Sequence, residues 1–396
     1  MKVLIAGIDG FLGWALAQHL TAHGHDVSGI DSLARRAWVA EMASTSAIPI
    51  ATLDDRRTAF RDRFGVTLEV LEGDLRDSAA VAGFVRRNQP DAVVHLGECP
   101  SAPYSMIDVE HATYVQTNNI SATFSLLFAL RDWAPNAHLV KLGTMGEYGT
   151  PDVDIPEGFF DVNFRGRRER MPFPRQAGSW YHWSKVHGSN NVMFACRAWG
   201  LRATDVMQGV VYGTRFDGAS NDPRLATRLD FDQAFGTAIN RFCCQAVAGH
   251  ELTVYGSGGQ RRGFLPLNDV MTCLRLILEN PAEAGEYRVI NQFDRVYSIS
   301  ELASAVSLSA RAIGLQVRVG HVDNPRIEAE DHYYQPDRNL LSELGYRPTS
   351  TLSADLIGML SDLRPHRDRI SAHAADLSTN IQWRPAGVVK EGVTHE

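Results

Sequence analysis

The sequence carries five cysteines, Cys99, Cys196, Cys243, Cys244 and Cys273, with no C-x-x-C pair among them. An odd number without a framework excludes a disulfide-stapled secreted domain and points to a reducing cytoplasm. Long apolar runs are missing: none approaches the roughly 18 residues of a membrane span. Long basic runs are missing too, and 39 Lys and Arg against 46 Asp and Glu leave a formal net charge of -7. That balance argues against nucleic acid or an anionic membrane surface as the main partner. No signal or transit segment precedes the first strand-forming residues, and there is no internal repeat or low-complexity tract. The 396 residues suffice for one large α/β domain with an added lobe.

The chain opens on a short apolar run, residues 2–6, read as a buried parallel strand. Gly7, Gly10 and Gly13 follow as G-x-x-G-x-x-G, enclosing Asp9, Phe11 and Leu12, and a helical pattern runs over 14–23. Glycine there permits a tight turn, lets backbone N–H groups approach a pyrophosphate, and allows close helix–strand packing. The strand–turn–helix setting favours a dinucleotide site over a plain turn. A second strand, 26–30, ends in Asp31, an acid suited to the adenosine ribose hydroxyls. Arg35 and Arg36 offer a 2′-phosphate site instead, but Asp31 would repel that phosphate, so NAD is expected over NADP.

Residues 34–66 form an Arg-rich insertion before a third strand, 68–71. Asp74 and Leu75 beyond it suit the adenine edge, or Asp74 caps the next helix. A fourth strand, 91–97, closes on Leu96 and Gly97 and leads into a loop, 98–106, with Ser101 and Tyr104. Loops beyond the carboxyl ends of parallel strands are where such sheets bind ligands. A helix is expected over 113–134, with Asn118 turned to the cofactor, and a fifth strand over 138–142. Thr144, Met145 and Glu147 follow it. Residues 151–180 read as a polar loop rich in Pro and Arg, able to cover a substrate or to lie in solvent.

Tyr181 and Lys185 form a Tyr-x-x-x-Lys, and residues four apart share a helix face. Lys185 can sit near the Tyr181 hydroxyl or act through a shared cofactor ribose. A nearby cation lowers a tyrosine pKa from about 10. Such a phenol can take a proton from a sugar hydroxyl while hydride leaves the same carbon. After a sixth strand, 202–207, Gln208 opens a glycine-flanked turn on the crevice side, and 214–230 are polar and turn-rich. A helix is expected over 234–247, a strand over 252–255 ending in Tyr255, then glycines with Gln260, Arg261 and Arg262. Arginine forks suit a diphosphate; an exposed hairpin is the plainer reading. Further elements are expected at 269–278 (helix), 286–291 (strand) and 299–313 (helix), with Arg326 and Glu328 as a third phosphate- or ribose-binding candidate. The last forty residues read as a helix and an extended tail.

The glycine turn, Asp31, Thr144, and Tyr181 with Lys185 together resemble the extended short-chain dehydrogenase/reductase superfamily of nucleotide-sugar epimerases and dehydratases. Stretches at 101–108, 141–151, 181–187, 208–213, 235–242 and 324–330 are similar to the UDP-sulfoquinovose synthase family, and the first of the last two brings in Thr237 and Arg241. The resemblance implies a doubly wound Rossmann sheet with a smaller C-terminal lobe, residues 1–213 carrying NAD and the Tyr/Lys pair, and 214–396 mainly the nucleotide sugar. The chain is expected to cross between the two. It implies that UDP-glucose is oxidised at C4, loses water across C5–C6, takes sulfite at C6 and is reduced again at C4. Tyr181 would remove the 4-hydroxyl proton and Thr144 would position that oxygen. His182 and Glu147 would shuttle protons at C5 and C6. None of these residues is read as a metal ligand. Relatives pair through two long helices, here 113–134 and the Tyr181 helix, so a homodimer is expected.

Two departures stand out. Ordinary 4,6-dehydratases carry Asp-Glu after the threonine, where this chain has Met145-Gly146. Sulfoquinovose synthases usually carry Gln-Arg where this chain has Cys99-Pro100. Weak use of sulfite, or another nucleophile in a 5,6-dehydratase, follows from the lost arginine. A UDP-hexose 4-epimerase and a non-catalytic NAD-sensing protein are the competing readings.

Overall fold

The computed structural model describes residues 1–329, 331–377 and 381–383; Glu330, residues 378–380 and residues 384–396 lie outside the described residues. In chain order the first half runs β1 (Lys2–Ala6), α1 (Phe11–Ala22), β2 (Asp26–Asp31), α2 (Ala34–Glu41), α3 (Leu53–Phe64), β3 (Glu69–Glu72), α4 (Ser78–Asn88), β4 (Ala92–His95), α5 (Val109–Trp133) and β5 (His138–Thr144). Then come β6 (Phe159–Phe164), β7 (Arg167–Pro172), α6 (Trp180–Trp199), β8 (Arg202–Gln208), β9 (Val210–Tyr212), α7 (Ala238–Ala248), β10 (Leu252–Tyr255), β11 (Arg261–Pro266) and α8 (Leu267–Glu279). β12 (Tyr287–Gln292), β13 (Arg295–Ser298), α9 (Ile299–Ala312) and β14 (Val319–Val322) complete the frame, with short helices beyond.

Seven strands pair in parallel in the order β12-β8-β5-β4-β1-β2-β3. Both faces of a parallel sheet must be covered, because crossover helices lie on both sides. Trp14, Leu16 and Leu20 of α1, Phe60 of α3 and Leu267 and Leu274 of α8 bury one face. Val81 and Phe84 of α4, Leu126 and Leu130 of α5, and Val192 and Ala195 of α6 bury the other. The strand order reverses between β1 and β4, which opens a crevice beyond their carboxyl ends. A second core, with Phe231, Phe242, Leu252, Leu302 and Val306, holds the C-terminal lobe. The chain returns from that lobe to supply α8 and the sheet's edge strand β12.

Four local expectations change. The 34–66 insertion folds into α2 and α3, where Thr52 accepts the Asp55 N–H and Gly65 ends α3 in a left-handed conformation. The 151–180 loop contains the antiparallel β6–β7 hairpin, whose Arg165, Arg167, Arg168 and Arg170 are exposed. The helix expected from 234 starts at Ala238, because the Asp232 carboxylate takes the Ala234 and Phe235 N–H groups at 2.8 Å and holds a turn there. The glycine-rich stretch at 256–264 passes into β11 at Arg261.

Candidate active site

A cavity of about 620 Å³ runs along the carboxyl ends of the sheet and under the C-terminal lobe. The glycine turn forms one end. Gly7 has φ +90°, and a Cβ on it would stand 2.7 Å from the Gly97 nitrogen. A Cβ on Gly13 would stand 2.1 Å from the Gly7 carbonyl oxygen. Only bare backbone lets α1 sit this close, with its unsatisfied first-turn N–H groups facing the cavity. That cradle fits a dinucleotide pyrophosphate. Gly10, Phe11, Leu12, Leu75, Leu96, Gly97 and Asn118 line the same end.

Asp31 closes β2 at the cavity wall and accepts N–H bonds from Asp9 at 2.8 Å and Leu33 at 2.7 Å. Burial first, then the neighbouring Asp9 charge, push its carboxyl up to about 6. Arg35 lies in the wall, but Asp230 holds it at 2.7 Å and Phe235 stacks on it at 4.0 Å. Asp74 lines the cavity and is paired with Arg76, which holds it below its ordinary pKa. Asp9 and Arg36, expected at the cofactor, turn away. The Asp9 carboxylate is clamped by Arg36 at 2.8 Å and by the fully buried Arg56 at 2.7 Å. Arg56 also donates to the Ala226 carbonyl and stacks on Trp14, tying the turn to the later chain. Arg36 is held by Asp9 away from the cavity, whereas Arg35 keeps a buried Nη1 that has no partner among the described residues; the Asp31 carboxylate in the same wall is what disfavours a 2′-phosphate.

Thr144, Met145, Tyr181, His182 and Lys185 line the middle of the cavity. β5 delivers Thr144, whose hydroxyl accepts the Gly146 N–H at 3.2 Å. Ser179 caps α6, and Tyr181 and Lys185 fall on one face of it; the Lys185 nitrogen lies 5.8 Å from the Tyr181 ring centroid. Lys185 is bound by Glu98 and by the Leu142 carbonyl. Burial would raise the Glu98 carboxyl, but Lys185 and His95 outweigh it and hold it below the ordinary value. The expected lowering of Tyr181 is therefore not found: burial first, then the Glu98 charge, push its phenol upward. Glu98 is answered to Lys185 across 87 positions, so no local pattern announces it. His182 Nδ1 meets the Ser179 hydroxyl at 2.9 Å. Burial, then Arg262, Arg326 and Lys185, lower the imidazole to about 3.

Glu147 departs from its expected place. It is fully buried behind β5, where it accepts from Ser189 at 2.9 Å and lies 4.0 Å from Lys141 and 3.8 Å from Arg175. It does not line the cavity. Tyr104 also turns away: its hydroxyl donates to Glu41 at 2.7 Å while the ring packs on Phe235. Asn119 accepts the Cys99 N–H at 2.8 Å and donates to the Cys99 carbonyl and to Ser184, fixing the loop after β4. The Cys99 thiol is fully buried and pushed up to about 12 by that burial, whereas Pro100 is exposed in the cavity wall.

At the far end Arg241 and Arg326 stack on Tyr255, and Arg262 lines the same wall. Arg241 lies 4.8 Å and Arg326 5.9 Å from the ring centroid. Arg262 is held by Glu328 at 2.5 Å, so Glu328 faces an arginine as well as the cavity. The buried Arg241 Nε has no partner among the described residues, which suits a bound anion. Ser101, Gln208, Thr237 and Gln260 complete this wall; Ser101 donates to the Ala234 carbonyl and Gln208 to Gln292.

Residues 3–291 match the NAD dependent epimerase/dehydratase family. The chain is 44% identical over 387 residues to the chloroplastic UDP-sulfoquinovose synthase of Spinacia oleracea, covering 98% of this chain and 80% of that protein. It is 43% identical to the UDP-sulfoquinovose synthase of Sulfolobus acidocaldarius, over 98% of this chain and 99% of that one. Among solved structures, the UDP-glucuronic acid 4-epimerase of Bacillus cereus in complex with UDP-glucuronic acid and NAD has the same fold, with TM-score 0.68 and 20% identity over 92% of this chain and 99% of that chain.

Proposed function

The chain belongs to the NAD dependent epimerase/dehydratase family, and on that premise we propose that it is an NAD-dependent UDP-sulfoquinovose synthase-like enzyme acting on UDP-glucose. One observation carries this reading. A single cavity joins the glycine cradle, the Thr144–Tyr181–His182–Lys185 group and the three-arginine end. That order matches a dinucleotide, a hexose and a diphosphate laid end to end. Gly7, Gly10, Gly13 and Asp31 would hold NAD, which when bound accepts the C4 hydride and later returns it.

The chain's own groups do the rest. Thr144 orients the 4-oxygen, and Tyr181 takes its proton as C4 is oxidised. The resulting ketone acidifies C5–H. His182 lines the cavity with Thr144 and Tyr181, so it is the base we assign to C5; Glu147 is buried and does not line the cavity. Loss of the 6-hydroxyl leaves a conjugated alkene, and a nucleophile adds at C6. Arg241, Arg262 and Arg326 neutralise the diphosphate. We assign sulfite as the nucleophile with weak affinity. Pro100 stands where the family resemblance implies an arginine, and the hairpin arginines are exposed rather than in the wall. We place the enzyme in the cytoplasm, on the strength of five free, buried thiols.

Absorbance of bound NAD should change on adding UDP-glucose, and the recovered sugar should carry solvent deuterium at C5. A 4-epimerase has no need of that exchange. NAD reduction without C5 deuterium would replace this reading with the epimerase.

A further inference from the structure

Away from the cavity, the end of α1 and the chain beyond β9 bring three metal-ligating side chains together. His19 and His23 stand four apart at the C-terminal turn of α1. Asp217 reaches them from the polar segment after β9. One ligand atom from each lies within 4.8 Å of the others, and His23 Nε2 is 3.5 Å from an Asp217 carboxylate oxygen. A tetrahedral zinc-like ion with bonds of roughly 2.0–2.1 Å sets its ligand atoms about 3.4 Å apart.

The hydrogen bonds behind the rings point the same way. His19 Nδ1 lies 2.7 Å from the Asp217 carbonyl oxygen, and His23 Nδ1 lies 2.8 Å from the His19 carbonyl oxygen. A carbonyl can only accept, so each Nδ1 carries the proton and each neutral ring keeps its lone pair on Nε2. Backbone carbonyls orient metal-ligating histidines in this manner. His19 is 1% exposed, and its buried Nε2 has no partner among the described residues. An ion pair between protonated His23 and Asp217 accounts for those two side chains and leaves the buried His19 lone pair unanswered. Arg275 is nearby as an opposing charge, but Glu279 pairs with it at 3.0 Å.

We infer that His19, His23 and Asp217 form a binding site for one divalent transition-metal ion of the zinc type, with water as the remaining ligand. The ion clips the end of α1 to the segment that Asp217 also ties to α8, through its N–H to Asn268 at 2.6 Å. The same α1 opens at the glycine cradle, so the clip steadies that helix from its far end. None of the three residues lines the cavity, and the sugar chemistry does not pass through them.

The test uses the full chain, stripped with chelator and dialysed, then titrated with Zn²⁺ by calorimetry and with Co²⁺ by visible absorbance. One ion per chain and Co²⁺ bands of four-coordinate intensity are expected. The melting temperature should rise with Zn²⁺ and fall back on chelation. His23→Gln and Asp217→Asn alter partly or well exposed side chains, so folding, checked by circular dichroism, should survive. Each should weaken Zn²⁺ binding at least about tenfold and abolish the Co²⁺ bands. Absence of stoichiometric binding in the parent chain overturns the site. So does undiminished binding in both folded variants, which would mean an ion held elsewhere.

Discussion

Glu98 sets the starting condition for the Tyr181–Lys185 pair. It neutralises Lys185 and, after burial, is the second cause that holds the Tyr181 phenol above its ordinary value, so little phenolate is present. Tyr181→Phe keeps the ring and removes the proton acceptor. Sugar-nucleotide binding should survive while oxidation at C4 falls about 10²–10⁴-fold; a variant within threefold of the parent removes Tyr181 from the mechanism. Asp31 gives a pH test. Its carboxyl is pushed up to about 6, and only the ionised form can accept from both ribose hydroxyls without a competing proton. NAD affinity should therefore fall as pH drops through 6, about tenfold by pH 5. Asp31→Ala should flatten that profile and relax discrimination against NADP. A flat profile in the parent chain contradicts the assignment. At the nucleophile, Cys99→Gln with Pro100→Arg should lower the sulfite KM about ten- to a hundredfold, the worth of one charge-assisted contact. Saturation of the parent chain at low micromolar sulfite would show that another group already serves. The residues that motif spacing carries, from Gly7 to Lys185, were legible in the sequence and line the cavity. Glu98, Asn119 and Arg56 were not, because their partners lie 87, 20 and 47 positions away. Asp9, Arg36, Glu147 and Tyr104 were misread for the same reason: a distant ion or hydroxyl partner turned each from the crevice.

Elements follow from pattern where an apolar face is present. The buried strands and the long helices α5 and α6 were readable from apolar runs and periodicity. The β6–β7 hairpin was not: both strands are largely exposed, so no alternation with a core face marks them. The contact of α1 with the turn beneath it is the tightest element-level requirement. Gly13→Ala places a methyl 2.1 Å from the Gly7 carbonyl, so α1 must shift. Overpacking of this kind costs about 1–3 kcal/mol. Melting temperature and NAD affinity should both drop; a variant that retains both would mean that the helix has slack the close approach denies.

For the whole molecule, α5 and α6 present Phe124, Phe128, Trp180 and Phe194 to solvent, Phe194 at 61% exposure. Scattered apolar side chains need no partner, but these four lie on two helices packed against each other, where a second copy could cover them. We expect a homodimer by light scattering, and Phe194→Glu should shift it to monomer; a monomeric parent chain contradicts that. Among the described residues no helix is long and apolar enough to cross a membrane. On the proposed mechanism this cavity oxidises UDP-glucose at C4 in order to do chemistry at C6. Incubation of the NAD-loaded protein with UDP-glucose and sulfite, followed by mass spectrometry of the sugar nucleotide, tests it most directly. A sulfonated product that accumulates slowly, and only at high sulfite, is expected. Recovery of nothing but an isobaric hexose, with no sulfonate and no dehydrated sugar at any sulfite concentration, would contradict it.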